Sequence, residues 1–449
     1  MPAHQPERFR FLWSLAPLQR WAGPLATLAA SLGAFAFFAL QGIFLARLLG
    51  PEMRGAFAAA VLFPQTLLYL GLLGAPELFA GYAARGADNS ALRRSAARYG
   101  IAAGAISLLV CWLLDISFIR NEFRWMLPLA CLCALALPLQ QIRLAVQAVD
   151  HGQRELGRYN RGRLLAAAAF PALLAVAFLF GMTDLKWICV LFVVSQALAL
   201  LLAQLGMRQS WRGRGHVAVP KAIGEARPLI AAWLASELLE RLDLVLMLAL
   251  VSDEATLGYY AAAVPIASLL IIVPNAASLY AFNLGARSDE IPNLRTVGRW
   301  MFGGLLIQTL SGAILAAMLP WLIHLFYGEL FAPTVMFAWL LIPAGMFRGL
   351  LQALDGYLRA RGRAMAGVLT RSFATVVLVA TSLALPMWLE RWDIPSSHAI
   401  PIGLSLALAC CFVIMSAIVL MDVRDHHRHR PALPASGGPS SHEPHEEVL

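Results

Sequence analysis

The chain reads as an all-α polytopic membrane protein of about 12 transmembrane helices in two parallel six-helix lobes. Three observations lead there. Hydrophobic residues make up 59% of the 449 positions and charged residues 14%, at a mean hydropathy of +0.68, a balance far from that of a soluble globular chain. Apolar stretches of roughly 20 residues, long enough to cross hydrocarbon, recur along nearly the whole length. Finally, the second half repeats the first.

Residues 1–23 place Arg8, Arg10 and Arg20 around Phe9, Phe11, Leu12, Trp13 and Leu18, a pattern that suits a short interfacial helix on the cytoplasmic side. The apolar part is brief and no small-residue cleavage site follows it, so no removable signal peptide is expected. Six spans follow at 24–49, 57–83, 99–119, 125–149, 164–182 and 186–207, forming a first lobe over 24–207. A cytoplasmic loop at 208–227 joins it to a second lobe, 228–421, with spans at 228–251, 257–285, 300–323, 334–356, 365–388 and 401–421. A disordered cytoplasmic tail is expected over 422–449, where His426, His427, His429, His442 and His445 lie among prolines, glycines and acids.

Orientation follows from the loops, because lysine and arginine gather on the cytoplasmic side. Alternate loops carry Arg85, Arg93, Arg94 and Arg98; then Arg154, Arg158, Arg161 and Arg163; then Arg208, Arg212, Arg214, Lys221 and Arg227. Arg287, Arg295, Arg299, Arg359, Arg361 and Arg363 continue the series. The opposite loops hold only Arg54, Arg120, Arg124, Lys186 and Arg391, so both termini are expected in the cytoplasm.

The internal repeat is short but consistent. Arg143-Leu-Ala-Val-Gln147-Ala148-Val-Asp150 in the fourth span returns 205 positions later as Arg348-Gly-Leu-Leu-Gln352-Ala353-Leu-Asp355 in the tenth. Gly55-Ala-Phe-Ala-Ala-Ala-Val61 returns as Gly258-Tyr-Tyr-Ala-Ala-Ala-Val264, and Pro24-Leu25 as Pro228-Leu229, at closely similar offsets. Six spans per half make matched helices run in the same direction, which is a parallel repeat about the membrane normal.

In each copy of the first motif, positions i, i+4 and i+7 draw a cation, an amide and a carboxylate along one helix face. Arginine inside hydrocarbon is costly, so two at equivalent places point to an internal surface, read here as an anion pathway lined by Arg143, Gln147, Arg348 and Gln352. The seventh span adds Glu237, Glu240, Arg241 and Asp243 on one broad face. Arg241 is expected to grip the anion and the three acids to tune it or carry the coupling proton or ion; a neutralised bridge that only sets helix rotation is the structural alternative. Arg47 lies near the outer end of the first span beside Glu52, where an outward snorkel accounts for it as well as a pathway role does. Glu77 faces an unassigned direction, and Arg371 is close enough to the cytoplasmic end of its span to snorkel. Pro64, Pro138, Pro171, Pro265, Pro274, Pro320 and Pro343 interrupt spans and permit kinks, which suit either alternating access or an ordinary bundle.

Other chemistries find no support. The net charge of +9 sits in short loops without interleaved aromatics, which argues against nucleic acid as a partner. Cys111, Cys131, Cys133, Cys189, Cys410 and Cys411 all fall in apolar segments without a CxxC pair, so neither a disulfide framework nor a zinc site is implied. No Walker loop, dinucleotide-binding turn or HExxH occurs, and no cofactor, metal or enzymatic activity is expected.

Ala46-Arg47-Leu-Leu-Gly50-Pro51-Glu52-Met-Arg54-Gly55, followed by an alanine-rich span, resembles the opening signature of the polysaccharide transporter (Wzx-type) flippases of the multidrug/oligosaccharidyl-lipid/polysaccharide superfamily. Asp243 with Leu257-Gly258-Tyr259-Tyr260 resembles their second-half signature, and Tyr327-Gly328-Glu329-Leu330-Phe331 a Phe-Gly-acid-x-Phe turn before the tenth span. The resemblance spans nearly the whole chain, through short, loose motifs. It implies a MATE-like fold, two lobes in a V around a cationic cleft, in the bacterial inner membrane. It further implies translocation of polyprenyl-diphosphate-linked oligosaccharide for O-antigen, capsule or exopolysaccharide synthesis, with glycosyltransferases and a polysaccharide polymerase as partners besides membrane lipids. Arg143, Arg348 and Arg241 would then offer guanidinium forks to the diphosphate.

Two other readings compete. A drug or cation antiporter of the multidrug extrusion type needs acids in the first lobe, where the first span offers only Gln41 and Arg47; Glu237, Glu240 and Asp243 would have to serve from the other lobe. A non-transporting scaffold for polysaccharide assembly would leave the arginines purely structural. The major-facilitator signature Gly-x-x-x-Asp-Arg-x-Gly-Arg is missing from the second cytoplasm-facing gap, Arg85 to Arg94.

Overall fold

The computed structural model describes residues 16–428 apart from 87, 120, 154, 205–226, 252, 273, 275, 276, 279, 280, 282–284 and 286–292. The interfacial segment up to residue 15, most of the 208–227 loop and the tail from 429 onward therefore lie outside the described residues. The rest is helical: α1 (Ala16–Leu70), α2 (Ala75–Ala84), α3 (Asn89–Phe118), α4 (Leu127–Ala134), α5 (Ala136–Gly152), α6 (Leu156–Leu179) and α7 (Leu185–Gln204) in the first half. The second half holds α8 (Arg227–Leu250), α9 (Glu254–Ala267), α10 (Leu294–Phe326), α11 (Thr334–Ala360), α12 (Ala364–Leu389) and α13 (Ala399–Arg428).

Ten stretches among the described residues are long and apolar enough to cross a membrane, and the first, Ala29–Ala84, contains two of the expected spans. The seventh expected span, α8, is helical over 24 residues, but its mid-helix charges exclude it from that apolar set. In the first half α1 packs on α6, α2 and α3 on α5, and α6 on α7. The second half repeats the scheme: α8 on α12, α9 and α10 on α11, α12 on α13. Large apolar side chains of α3 and α10, such as Ile106, Leu113, Phe302 and Ile314, point outward, as lipid-facing surfaces require.

Three local features depart from the sequence expectation. An outer loop was expected between residues 49 and 57; instead α1 runs on through Gly50, whose φ of 68° and ψ of 179° turn the chain before Pro51 restarts the helix. Glycine alone adopts that φ without strain, and proline is preset for a first helical position. The second span, expected unbroken to residue 83, is interrupted by turns at 71–74 with Leu73 and Gly74 both at positive φ. Another helix answers at the break: the Gln141 amide nitrogen donates to Leu68 O at 3.2 Å and shares Leu67 O, at 2.9 Å, with the Gly71 N–H. The fourth span breaks at Leu135, one turn before Pro138, which has no N–H to continue the helix. Pro64, Pro171, Pro265, Pro320, Pro343 and Pro386 sit inside continuous helices.

The expected start of a disordered tail at residue 422 is also corrected, because α13 continues to Arg428. Asp422 is 2% exposed there and is tied to the α11–α12 turn by Arg361 and Arg363, each at 3.0 Å, and by the Tyr357 hydroxyl at 2.8 Å. Two aspartates in interhelical turns start helices. Asp88 accepts from Ser90 N at 2.9 Å, and Asp253 from Thr256 N at 2.8 Å. The Thr256 hydroxyl, then the Thr256 and Ala255 amides, hold the Asp253 carboxyl below the usual carboxylate range.

Candidate translocation cavity

The repeated arginine motif lies on α5 and α11, and its two copies have different surroundings. Arg143 faces a cavity of about 800 Å³ walled by α1, α2, α5, α6 and α7, with Glu237 of α8 as the one described wall residue from the second half. Arg143 Nη1 donates to Gln147 Oε1 at 3.2 Å, and its Nε has no hydrogen-bond partner among the described residues. Gly162 on α6 makes room for this pair, since a Cβ there would collide with the Gln147 amide. A guanidinium that cannot lose its proton, beside amides rather than acids, leaves donors directed at whatever fills the space.

The rest of the wall is amide and aromatic: Gln41, Gln65, Gln140 and Gln196, with Tyr69, Tyr159 and His151. Its charges are mixed. Arg143 and Arg163 stand against Glu77 and Glu237, so the purely cationic cleft that the resemblance implies is corrected to one with acids on its wall.

Arg348 takes a different position. It shares a void of about 10 Å³, near the room of a single water, with Asp243, and is not on the wall of the large cavity. Asp243 is 1% exposed and accepts the Tyr260 hydroxyl at 2.7 Å; its Oδ1, and Nε and Nη2 of Arg348, have no hydrogen-bond partner among the described residues. Arg241 bridges the halves by donating from Nη1 to Gln65 Oε1 at 3.4 Å, so it reaches the cavity through a wall residue. Glu240 and Gln352 are half-buried on α8 and α11, away from that wall. Arg47 is also absent from it: its Nε and Nη2 donate to Phe326 O at 2.9 Å and Leu325 O at 2.7 Å, at the Gly50 end of the bundle.

The carboxylates that close the two motifs turn away to neighbouring helices. Asp150 is paired with Arg93 of α3 and lies 3.8 Å from Arg158. Asp355 takes Arg371 of α12 at 2.9 Å and Arg359 at 3.0 Å. Arg371 is therefore a buried structural partner at 7% exposure, not a snorkelling side chain. Conversely Arg163, assigned to a loop by the sequence reading, stands on the cavity wall over the Tyr159 ring at 5.4 Å and within 3.4 Å of Ser31 Oγ. A signal for it existed: it falls 208 positions before Arg371, close to the offset of the other repeats.

No family model and no curated protein matches the chain. Solved structures do. An inward-facing multidrug-resistance MATE transporter of the MOP superfamily superposes with a TM-score of 0.69 at 12% identity, over 89% of this chain and 96% of that one. The lipid II flippase MurJ, in an inward closed conformation, gives 0.67 at 12% identity over 90% of each chain. The eukaryotic MATE transporter AtDTX14 gives 0.65 at 16% identity, over 92% and 99%. The chain thus has the fold shared by MATE transporters and MurJ.

Proposed function

We propose that the protein is a flippase that carries polyprenyl-diphosphate-linked oligosaccharide across the bacterial inner membrane, by alternating access, for cell-surface polysaccharide synthesis. The observation that carries this is Arg143: an incompletely hydrogen-bonded guanidinium on the wall of a cavity of about 800 Å³ that is otherwise rich in amides and aromatic rings. Phosphate oxygens match a guanidinium fork, and sugar hydroxyls match glutamine side chains and aromatic faces. The polyprenyl chain remains in lipid. A fold shared with a lipid II flippase supports the same reading. With both termini cytoplasmic, the inside-negative potential favours outward passage of the anion by about 2.3 kcal/mol per charge per 100 mV.

Reconstitution with a fluorescent polyprenyl-diphosphate oligosaccharide tests it. Arg143→Ala protein, inserted normally, is expected to flip at least about tenfold slower, the cost of one charge-assisted hydrogen bond. Wild-type flipping rates in that variant would remove Arg143 as a substrate ligand, and no flipping by the wild type would favour a scaffold. A MATE-type drug or cation antiporter is the second reading, favoured by Glu77 and Glu237 on the cavity wall. Uptake of an organic cation that depends on Glu237 and ignores Arg143 would select it.

A further inference from the structure

The three motifs that carry the family resemblance do not converge on the cavity. Apart from Asp243, which shares the void with Arg348, they meet at the Gly50 end, where the halves touch. Gly55 and Gly258, equivalent residues of one repeat, pack backbone to backbone: a Cβ on Gly55 would fall on Glu254 O, and one on Gly258 on Pro51 O. From the first motif two arginines reach across. Arg47 ties itself to the last-turn carbonyls of α10, at the negative end of the helix dipole. Arg54, 5% exposed, donates to Gly42 O at 2.8 Å and Ala261 O at 3.5 Å, with its guanidinium 5.6 Å from the centre of the Tyr327 ring.

Glycines keep these places open. A Cβ on Gly42 would stand 3.2 Å from the Tyr327 hydroxyl, and Gly328, at a φ of 95°, makes the turn that follows the carbonyls Arg47 holds. Among the described residues neither arginine has an acidic partner: Arg47 closes on two carbonyls, Arg54 on two carbonyls and an aromatic ring, and Nε of Arg54 has no hydrogen-bond partner. Separating the halves strips both carbonyls from Arg47 and takes Ala261 O and the Tyr327 ring from Arg54, which keeps only Gly42 O of its own helix; a buried cation left that short of partners is expensive.

We propose that Arg47 and Arg54 form a guanidinium latch: they hold the seam shut through backbone carbonyls and transfer to the phosphate oxygens of the departing substrate as it opens. The latch stands on the seam geometry alone, whereas phosphate as the exchange ligand rests on the flippase reading.

The test uses the full chain in lipid nanodiscs, with Cys131 and Cys410 replaced by serine and spin labels at Glu52→Cys and Leu330→Cys, both exposed positions on opposite sides of the seam. Arg47→Ala and Arg54→Ala are each expected to raise the long-distance population about tenfold without ligand. Arg47→Lys, Arg54→Lys and Gly42→Ala should raise it less, and they decide the matter should the alanine variants fail to insert. An unchanged distribution in the variants that insert overturns the latch. Farnesyl diphosphate, but not farnesol, should open the wild type, with half-saturation at least fivefold weaker in the lysine variants, a shift of about 1 kcal/mol. Equal half-saturation overturns the phosphate transfer and leaves the cavity reading standing. If the diphosphate leaves the wild type closed, the flippase reading and the transfer both fall, while the ligand-free distances still judge the latch.

Discussion

Buried arginines in this protein have two kinds of partner, and the partner decides the consequence of losing them. Arg371 and Asp355 are both about nine-tenths buried and 2.9 Å apart. Gly367 leaves the space for that contact, because a Cβ there would lie 2.9 Å from Asp355 Oδ1. Arg371→Ala leaves the aspartate with Arg359 alone and should destabilise the protein by about 3 kcal/mol. Adding Asp355→Asn should recover much of it, measured as thermal unfolding in detergent. A loss confined to transport, with stability intact, would contradict the structural role. Arg143 has the Gln147 amide instead, so its removal is expected to affect the proposed transport more than unfolding.

At the scale of single elements, polar side chains mark where helices start, break and join. Asp253 caps α9 beside the seam. Its carboxyl is held below the usual range, so its contribution is complete above the unfolded value near 3.9 and is lost as pH falls through the lower folded value. Asp253→Ala should cost about 1 kcal/mol at neutral pH, and the difference from wild type should vanish in acid below that folded value. Unfolding curves at several pH values measure both, and a gap that persists in acid would refute the cap. Gln141 acts likewise at the break after Leu70, where it answers carbonyls of α1 from α5.

For the molecule as a whole, the two halves share one packing scheme and meet chiefly through α1 against α8 and α9. Exposed arginines Arg85, Arg98, Arg161, Arg299 and Arg363 gather at the end opposite Gly50, whereas exposed tryptophans occur at both ends: Trp125, Trp187, Trp321, Trp339, Trp388 and Trp392 at the Gly50 end, and Trp300 beside Arg299. Aromatic residues suit both membrane interfaces, and arginine favours the cytoplasmic face, so the arginine-rich end should face the cytoplasm and the Gly50 end outward. Cysteines introduced at Glu52 and at Arg363 in separate variants should react with an impermeant thiol reagent from the outer and the cytoplasmic side respectively. The reverse pattern would overturn the orientation, and with it the direction of the potential-driven step.

The all-helical membrane class, the approximate positions of the spans and the short internal repeat were legible in the amino-acid order, because hydrophobic length and repeat offset are read along the chain; where helices merge, as at Gly50, or break, as at residues 71–74 and Leu135, was not. Residue types able to meet an anion were legible too, since charge in hydrocarbon is rare enough to stand out. What each charged group touches was decided by tertiary structure. Arg143 and Arg348 occupy the same place in one motif, yet one lines a large cavity and the other shares a water-sized void with Asp243. Arg163, expected in a loop, lines the cavity, and Arg371, expected to snorkel, is a buried partner of Asp355. Each guanidinium takes the acceptor that packing brings near: one on its own helix for Arg143 and Arg359, one on another helix for Arg371 and Arg93, and for Arg47 one 279 positions away in the chain.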